Sequence, residues 1–509
     1  MNIAIPTFRR MLFIGCFGCV ALMQGVAVAN DPLEQQRRYV EALDGYVDVQ
    51  IALKNDDVRG MAELFRLGHA SRLELDDAQV GLDRLVARKQ ACQRFLTSLD
   101  RVKTDSVAGT GQWLIVEMSS VLNVPQTVVK PIIMRLDQES QSLVAELAVA
   151  DSRVRKTQQT EITARAGHVS ELLEKLDRLD NSMPGELAEA NRLRLQLRLF
   201  KAEQKLIAAT PANVRAVNAQ QYKIDGEDVD VRQLVAILWQ DWNRETLHAE
   251  ADGLAREIKT VQQRYERLVQ LQPEGGTLFG EVDQSQAQLN RLTDARLSVK
   301  NRVAMLTEPP AYNEVVGQSS LDDELVFQTL MIRGTQTRKA ASELQAARRR
   351  FAQVARLASD DPFFKGERQW LSHQVRLGEA DAALAASSSE QLAAIAGLRA
   401  TGETQLISTS TDNEWSFAVS LMQASSHTVN RIRKSTVQRE IAAERLSALE
   451  QLHCEGHASW REVEQSRTTV RIHDAQLKTL EHEQIAESLR RQLVEQITST
   501  TSDDTITLR

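Results

Sequence analysis

The chain has 509 residues, a formal net charge of −7, 5% aromatic residues and 10 prolines. A mildly acidic, mixed-charge chain has no basic excess with which to hold a polyphosphate backbone, so nucleic-acid binding is excluded as an expectation. Few aromatics with abundant Ala, Leu, Gln, Glu and Arg suit long helices that meet along narrow seams, because such seams need little aromatic filling.

The first element is a leader. Arg9 and Arg10 precede an apolar run from Met11 to Val28, which closes on Ala27-Val28-Ala29 before the polar Asn30-Asp31. Residues 1–29 therefore read as a cleaved signal peptide, and the protein as periplasmic or secreted. The run is short and interrupted by Gly15, Gly18 and Gln24, which disfavours a retained membrane span of roughly 20 apolar residues. Lipidation at Cys16 or Cys19 ranks second, because Phe13 and Cys16 stand three residues earlier, where a lipobox wants Leu. Cleavage leaves Cys92 and Cys454, which is no disulfide framework. Cys92 falls in an apolar helical stripe, so a small core residue is the expected role. No later apolar run reaches the length of a membrane span.

From residue 30 the pattern is helix, break, helix. A helix ending near Leu67 meets Gly68-His69-Ala70, and Ser71 starts a second helix with the stripe Leu75, Ala78, Leu82, Leu85, Cys92, Leu96, Leu99. The second break is at Asn181-Ser182-Met183-Pro184-Gly185. The third stripe, Leu254, Ile258, Val261, Tyr265, Leu268 and Leu271, has coiled-coil spacing; it stops at Pro273-Glu274-Gly275-Gly276 and resumes at Val282, Leu289, Leu292, Val299, Val303 and Leu306. A fourth break falls at Ser359-Asp360-Asp361-Pro362, and the last at Gly456-His457-Ala458-Ser459, followed by Val463, Val470, Leu477 and Leu480. Breaks near 69, 183, 275, 361 and 457 recur with a period of roughly 90 residues. The expected fold is all-α, with about five elongated antiparallel coiled-coil hairpins and little or no β-structure. Their expected spans are 30–110, 111–210, 211–308, 309–398 and 399–497, with a disordered tail at 498–509.

Between the hairpins, residues 104–135, 207–245, 308–330 and 398–425 hold more Gly, Thr, Ser and Asn, and contain Trp113, Trp239, Trp242 and Trp415. These read as loops and short helices where the hairpins root. Val231 to Trp242 is one such helix, and Tyr222-Lys223-Ile224-Asp225-Gly226 forms a small β-turn.

The first and last tips share the string Gly-His-Ala-Ser-x-x-Glu. Gly68 and Gly456 can adopt the left-handed conformation that ends a helix, and Ser71 with Glu74, like Ser459 with Glu462, makes a capping box. The run Gly68 to Gln79, followed by Leu82, resembles the α-hairpins of periplasmic adaptor (membrane fusion) proteins and the helical barrel of TolC-type outer membrane efflux proteins. Gly456 to Val463 is similar more loosely, with Ser466 and Arg467 where Ala-Gln would fall. The resemblance covers about 20 residues at each tip. It implies that Gly68, His69, Ser71, Glu74, Gly456, His457, Ser459 and Glu462 form a docking surface for another helical tip; the alternative is that they only turn the chain. The Gly-rich β-domains of adaptors have no counterpart in this reading. Nor does the chain alternate over about ten residues as TolC-type strands do.

Catalytic and metal motifs are absent from the sequence. His453, Cys454 and His457 are close in the chain, but Gly456 breaks the helix between the histidines and no further ligand joins them. Gly109-Thr110-Gly111 lacks the strand-to-helix context of a phosphate loop, and no Gly-x-Ser-x-Gly elbow or His-Glu-x-x-His helix occurs. The carboxylates lie among Arg and Lys on helical faces. The expectation is an exported, non-catalytic envelope scaffold without cofactor or metal, binding protein partners or itself through its helices. The alternative is an accessory of an efflux or secretion system that contacts it through the tips.

Overall fold

The computed structural model describes residues 31–117, 132–136, 140–178, 184–271, 279–307, 323–356, 362–400 and 427–504. The leader, the second, third and fourth breaks (apart from residues at their helical flanks) and Trp415 lie outside these residues. The described chain is mostly helical. It forms α1 (Pro32–Arg66), α2 (Arg72–Leu99), α3 (Ser140–Arg178), α4 (Pro184–Ala209), α5 (Val231–Leu271), α6 (Phe279–Thr307), α7 (Asp323–Ala355), α8 (Pro362–Ala400), α9 (His427–Cys454) and α10 (Trp460–Asp504). Among the described residues no helix is long and apolar enough to cross a membrane.

The little β-structure among the described residues is gathered in one place, although no sign of a sheet was legible in the sequence. Strands β1 (Val102–Val116), β2 (Ile132–Arg135), β3 (Val214–Ile224) and β4 (Glu227–Val229) form one antiparallel sheet in the order β2-β1-β3-β4. Two features conceal it from a periodicity search. Leu114, Ile115 and Val116 are all almost fully buried, so this stretch shows an unbroken apolar run instead of alternation. The β1/β3 register also shifts between Asp105 and Ala108 and again before Gln112. The second shift spans Gly109 and Gly111, glycines of the kind that mark bulges inside strands. The β3–β4 turn lies where a small β-turn was expected: Asp225 and Gly226 both have positive φ, 51° and 95°, as a tight two-residue hairpin loop requires. Val231 to Trp242 is helical, but as the opening of the 41-residue α5 and not as a separate short helix. Its start is capped reciprocally: the Gln233 amide donates to Asp230, and the Asp230 amide donates to the Gln233 side chain (both 2.9 Å). At the other end of the chain, α10 continues to Asp504, beyond the Thr498 boundary expected from composition. Extending an existing helix avoids the nucleation penalty that low-propensity residues could not overcome alone.

Consecutive helices pair. Asp48 of α1 meets Lys89 of α2, while Arg37 meets Asp100 just beyond α2. In the same opposed sense, Arg431 and Arg439 of α9 meet Glu483 and Asp474 of α10. The strong helix–helix packings place the ten helices in one row, α6-α5-α2-α1-α4-α3-α10-α9-α8-α7.

The pairs also meet one another in opposed directions. Arg94 and Arg84 of α2 reach Glu245 and Glu257 of α5. Asp57 of α1 faces Arg192 of α4. Asp151 and Glu161 of α3 bind Arg490 (2.7 Å) and Gln476 (3.0 Å) of α10. His373 and Asp381 of α8 meet Glu444 and Lys434 of α9. Because every boundary is antiparallel, the described helix ends that flank the five breaks lie at one end of the helices, and the sheet lies at the other. A helix of 35 residues such as α1 separates the two ends by roughly 50 Å.

The main core sits at the sheet end. Leu33, Val40, Leu43 and Val47 from α1 and Cys92, Phe95 and Leu99 from α2 close over Ile115, Val217, Tyr222 and Val229, joined by the first turns of α5. Phe95 contacts Trp242 edge to face, with ring centroids 5.1 Å apart. Tyr222 is fully buried, and its hydroxyl donates to Asp31 (3.1 Å), which also caps α1 by accepting from the Leu33 amide (2.9 Å). Further out, α2 and α5 meet through Ala87, Ala91 and Ala249, small residues that allow close approach.

Candidate functional site: the tips of the helix pairs

The α1–α2 and α9–α10 turns are built alike, atom by atom. Gly68 and Gly456 both have φ of 77°, the left-handed region that favours glycine. The Gly68 amide donates to Phe65 O (3.0 Å) and the His69 amide to Leu64 O (2.8 Å). Their counterparts, Gly456 and His457, donate to His453 O (3.0 Å) and Leu452 O (2.8 Å). This is the paired bonding that satisfies the last carbonyls of a helix.

Ser71 then caps α2: the Glu74 amide donates to its hydroxyl (3.2 Å), and the Ser71 amide donates back to the Glu74 carboxylate (2.7 Å). Ser459 and Glu462 repeat this at 3.3 and 2.8 Å. The serine backbone amides, followed by the serine hydroxyls, hold both glutamates below the usual carboxylate range. Of the eight expected tip residues, each set of four is therefore brought together within its own turn. His69 and His457 contribute backbone amides and leave their imidazoles exposed.

The side chains around these turns were not singled out from sequence. Leu64, Phe65 and Leu67 are 43%, 38% and 54% exposed, and Leu452 and Trp460 are 41% and 55% exposed. Phe65 and Arg72 stack across the first turn, with the guanidinium 5.7 Å from the ring centroid. At the equivalent positions of the last turn, the His453 and Trp460 rings meet at a tilt of 52° with centroids 5.9 Å apart, and Arg467 also lies 5.5 Å over the indole. Both tips thus bring the two equivalent side chains into contact across the turn, and each places a guanidinium over an aromatic ring.

Exposed apolar residues concentrate at this end of the other pairs too. Leu187 lies in the first turn of α4, Val269 and Leu271 in the last turn of α5, and Trp370 about two turns into α8. Nine of the thirteen exposed large apolar side chains among the described residues belong to the tip end. The sequence signal was present but ambiguous, because Leu64 and Leu452 sit in apolar stripes that elsewhere mark a seam.

His453 Nδ1 donates to Ala458 O (2.9 Å), which ties that ring to the turn, and no group of three or more His, Cys, Asp or Glu is placed to hold a metal among the described residues. Cys92 and Cys454 are both free thiols, the first buried at the sheet end and the second exposed at the tip. Burial pushes the Cys92 thiol up to about 11. Glycines 109 and 111 belong to β1.

No family model, curated protein or solved structure matches this chain.

Proposed function

We propose that the protein is an exported, non-catalytic scaffold of the bacterial envelope, made of five antiparallel coiled-coil hairpins at a period near 90 residues, which engages protein partners through its tips. The observation that carries this reading is the pair of matching Gly-His-Ala-Ser turns, each flanked by exposed Leu and aromatic side chains. A turn that only reverses the chain needs the glycine and the capping box. It does not need Leu67 and Trp460 half exposed to water, where each forgoes part of the burial free energy that a large apolar side chain gains when fully enclosed. In this reading the chain leaves its leader at the sheet end, next to Asp31, and projects its tips roughly 50 Å away.

A photo-crosslinking amino acid placed at His69 and His457, with Asp228 of the sheet turn as control, tests the reading in intact cells. Defined protein adducts from the tip positions only are expected. Adducts from Asp228 alone, or from no position, overturn tip docking. The similarity of Gly68–Gln79 to adaptor and TolC-type tips supports a second reading, that of an efflux or secretion accessory; transporter subunits among the adducts would select it.

A further inference from the structure

We propose that the outer face of α7, at one end of the row, is a docking surface for an anionic lipid bilayer, held by charge alone. The choice of lipid over other polyanions rests on the proposed export of the chain.

α7 has one covered side. Thr337, Ala340, Leu344, Ala347, Phe351 and Val354 are buried or half-buried at alternating spacings of three and four, a single coiled-coil seam that meets α8 at Gly378 and Ala385. Every other position from 338 to 356 is exposed. Those positions carry Arg338, Lys339, Arg348, Arg349, Arg350 and Arg356 against one carboxylate, Glu343. Spacings of eleven and seven bring Arg338, Arg349 and Arg356 within about 20° of one line, roughly 27 Å long and turned away from the seam. Lys339 and Arg350 make a second line beside it.

Most of these cations are uncommitted. Arg348 turns to Glu379 of α8 (2.8 Å) and Lys339 meets Glu343 at 3.9 Å, but Arg349, Arg350 and Arg356 make no ion pair among the described residues. Elsewhere in the row arginines close on carboxylates of the next helix, as Arg94 does on Glu245 and Arg439 on Asp474. α7 ends the row, and among the described residues α8 is its one strongly packed neighbour.

A bilayer fits this face better than a protein does. Protein interfaces centre on apolar side chains and leave charge at their rims. Between the cations of α7 stand Ser342, Gln345, Ala346 and Gln353, and no exposed large apolar side chain among the described residues belongs to this helix. Lipid headgroups need neither an apolar centre nor a matching shape, and each cation near them strengthens binding about fivefold. The whole chain has a net charge of −7, so this basic excess is local, and acidic groups more than about 10 Å behind it are screened.

Co-sedimentation of the full exported chain with vesicles tests this. Binding is expected to phosphatidylcholine with about one part in three phosphatidylglycerol and not to phosphatidylcholine alone, and it should be lost as salt rises from about 0.1 to about 1 M. Arg349→Gln/Arg350→Gln/Arg356→Gln should bind about 100-fold more weakly. Lys201→Gln/Arg267→Gln/Lys300→Gln, which removes the same charge from exposed sites on α4, α5 and α6, should bind as wild type does. Glutamine keeps the helix propensity of these positions, so circular dichroism should be unchanged in both variants. No binding to the anionic vesicles, equal binding to neutral ones, a first variant that binds as wild type does, or a second that weakens as much as the first each overturns the proposal. Tighter binding to double-stranded DNA than to the vesicles, at the same salt and phosphate concentration, overturns it too and would assign the face to nucleic acid. Tip adducts from a chain that ignores the vesicles would sink the lipid surface alone and leave tip docking standing.

Discussion

Phe95 and Phe65 lie on successive helices of one pair, yet one is sealed in the sheet-end core and the other is 38% exposed at the tip. The same contrast separates the sheet-end core from the first and last tips. At the sheet end Tyr222, Leu99 and Phe95 are fully enclosed by two helices, a sheet and the start of a third helix. Toward the tips the helices bury only against their neighbours in the row among the described residues, and their outermost apolar residues remain exposed. One end buries its apolar area in the fold, and the other leaves it exposed.

Phe95→Ala should break this contrast most severely. It removes a fully buried ring and its edge contact with Trp242, and a loss of about 3–5 kcal/mol is expected in urea unfolding. Next comes the tie between the second and fifth helix pairs. Asp151→Ala strands the Arg490 guanidinium in a nearly buried site and should cost about 3 kcal/mol, whereas Asp151→Leu with Arg490→Met should recover much of it. A single variant and a double variant of equal stability would show that this pair does not join the helices.

The turns come third. Gly68→Ala and Gly456→Ala should each cost about 1–2 kcal/mol and by the same amount, because a side chain there meets nothing and only the left-handed backbone resists it. Asparagine should restore part of the loss at both sites. Unequal costs at Gly68 and Gly456 would separate two turns that are alike in bonding.

The smallest effect is a pH dependence. Cys92 is protonated in the fold well past its ordinary range, with a pKa of about 11. Its contribution is fully present below the unfolded thiol value of about 8.5 and declines as pH rises toward 11, since the unfolded chain releases that proton first. Thiol labelling gives the companion readout: Cys454 should react at once and Cys92 only on unfolding.

The sequence exposed most of this architecture, with a consistent omission. Helix ends were legible wherever a cap or a break is a local event, as at Gly68 with Ser71 and Glu74, or at Gly456 with Ser459 and Glu462. The sheet was not, because its central strand is apolar on both faces around Leu114–Val116 and loses register beside Gly109 and Gly111. Trp113 did point to this region, but its role depends on Arg232, which lies 4.8 Å over its ring from 119 positions later in the chain, a distance no local pattern reports. At the tips the turn residues were readable and the contact residues were not. Leu64, Phe65 and Trp460 have the composition of a seam, and only three dimensions reveal that they stand exposed among the described residues.

The division of labour between the two ends is tested most directly by the thermal melt of Phe65→Glu/Trp370→Glu/Trp460→Glu, compared with wild type at a concentration where both are monomeric. If tip side chains serve contact and not folding, the Tm should stay within about 2 °C of wild type. A drop as large as that of Phe95→Ala would contradict the account, because it would make the tip residues part of the core.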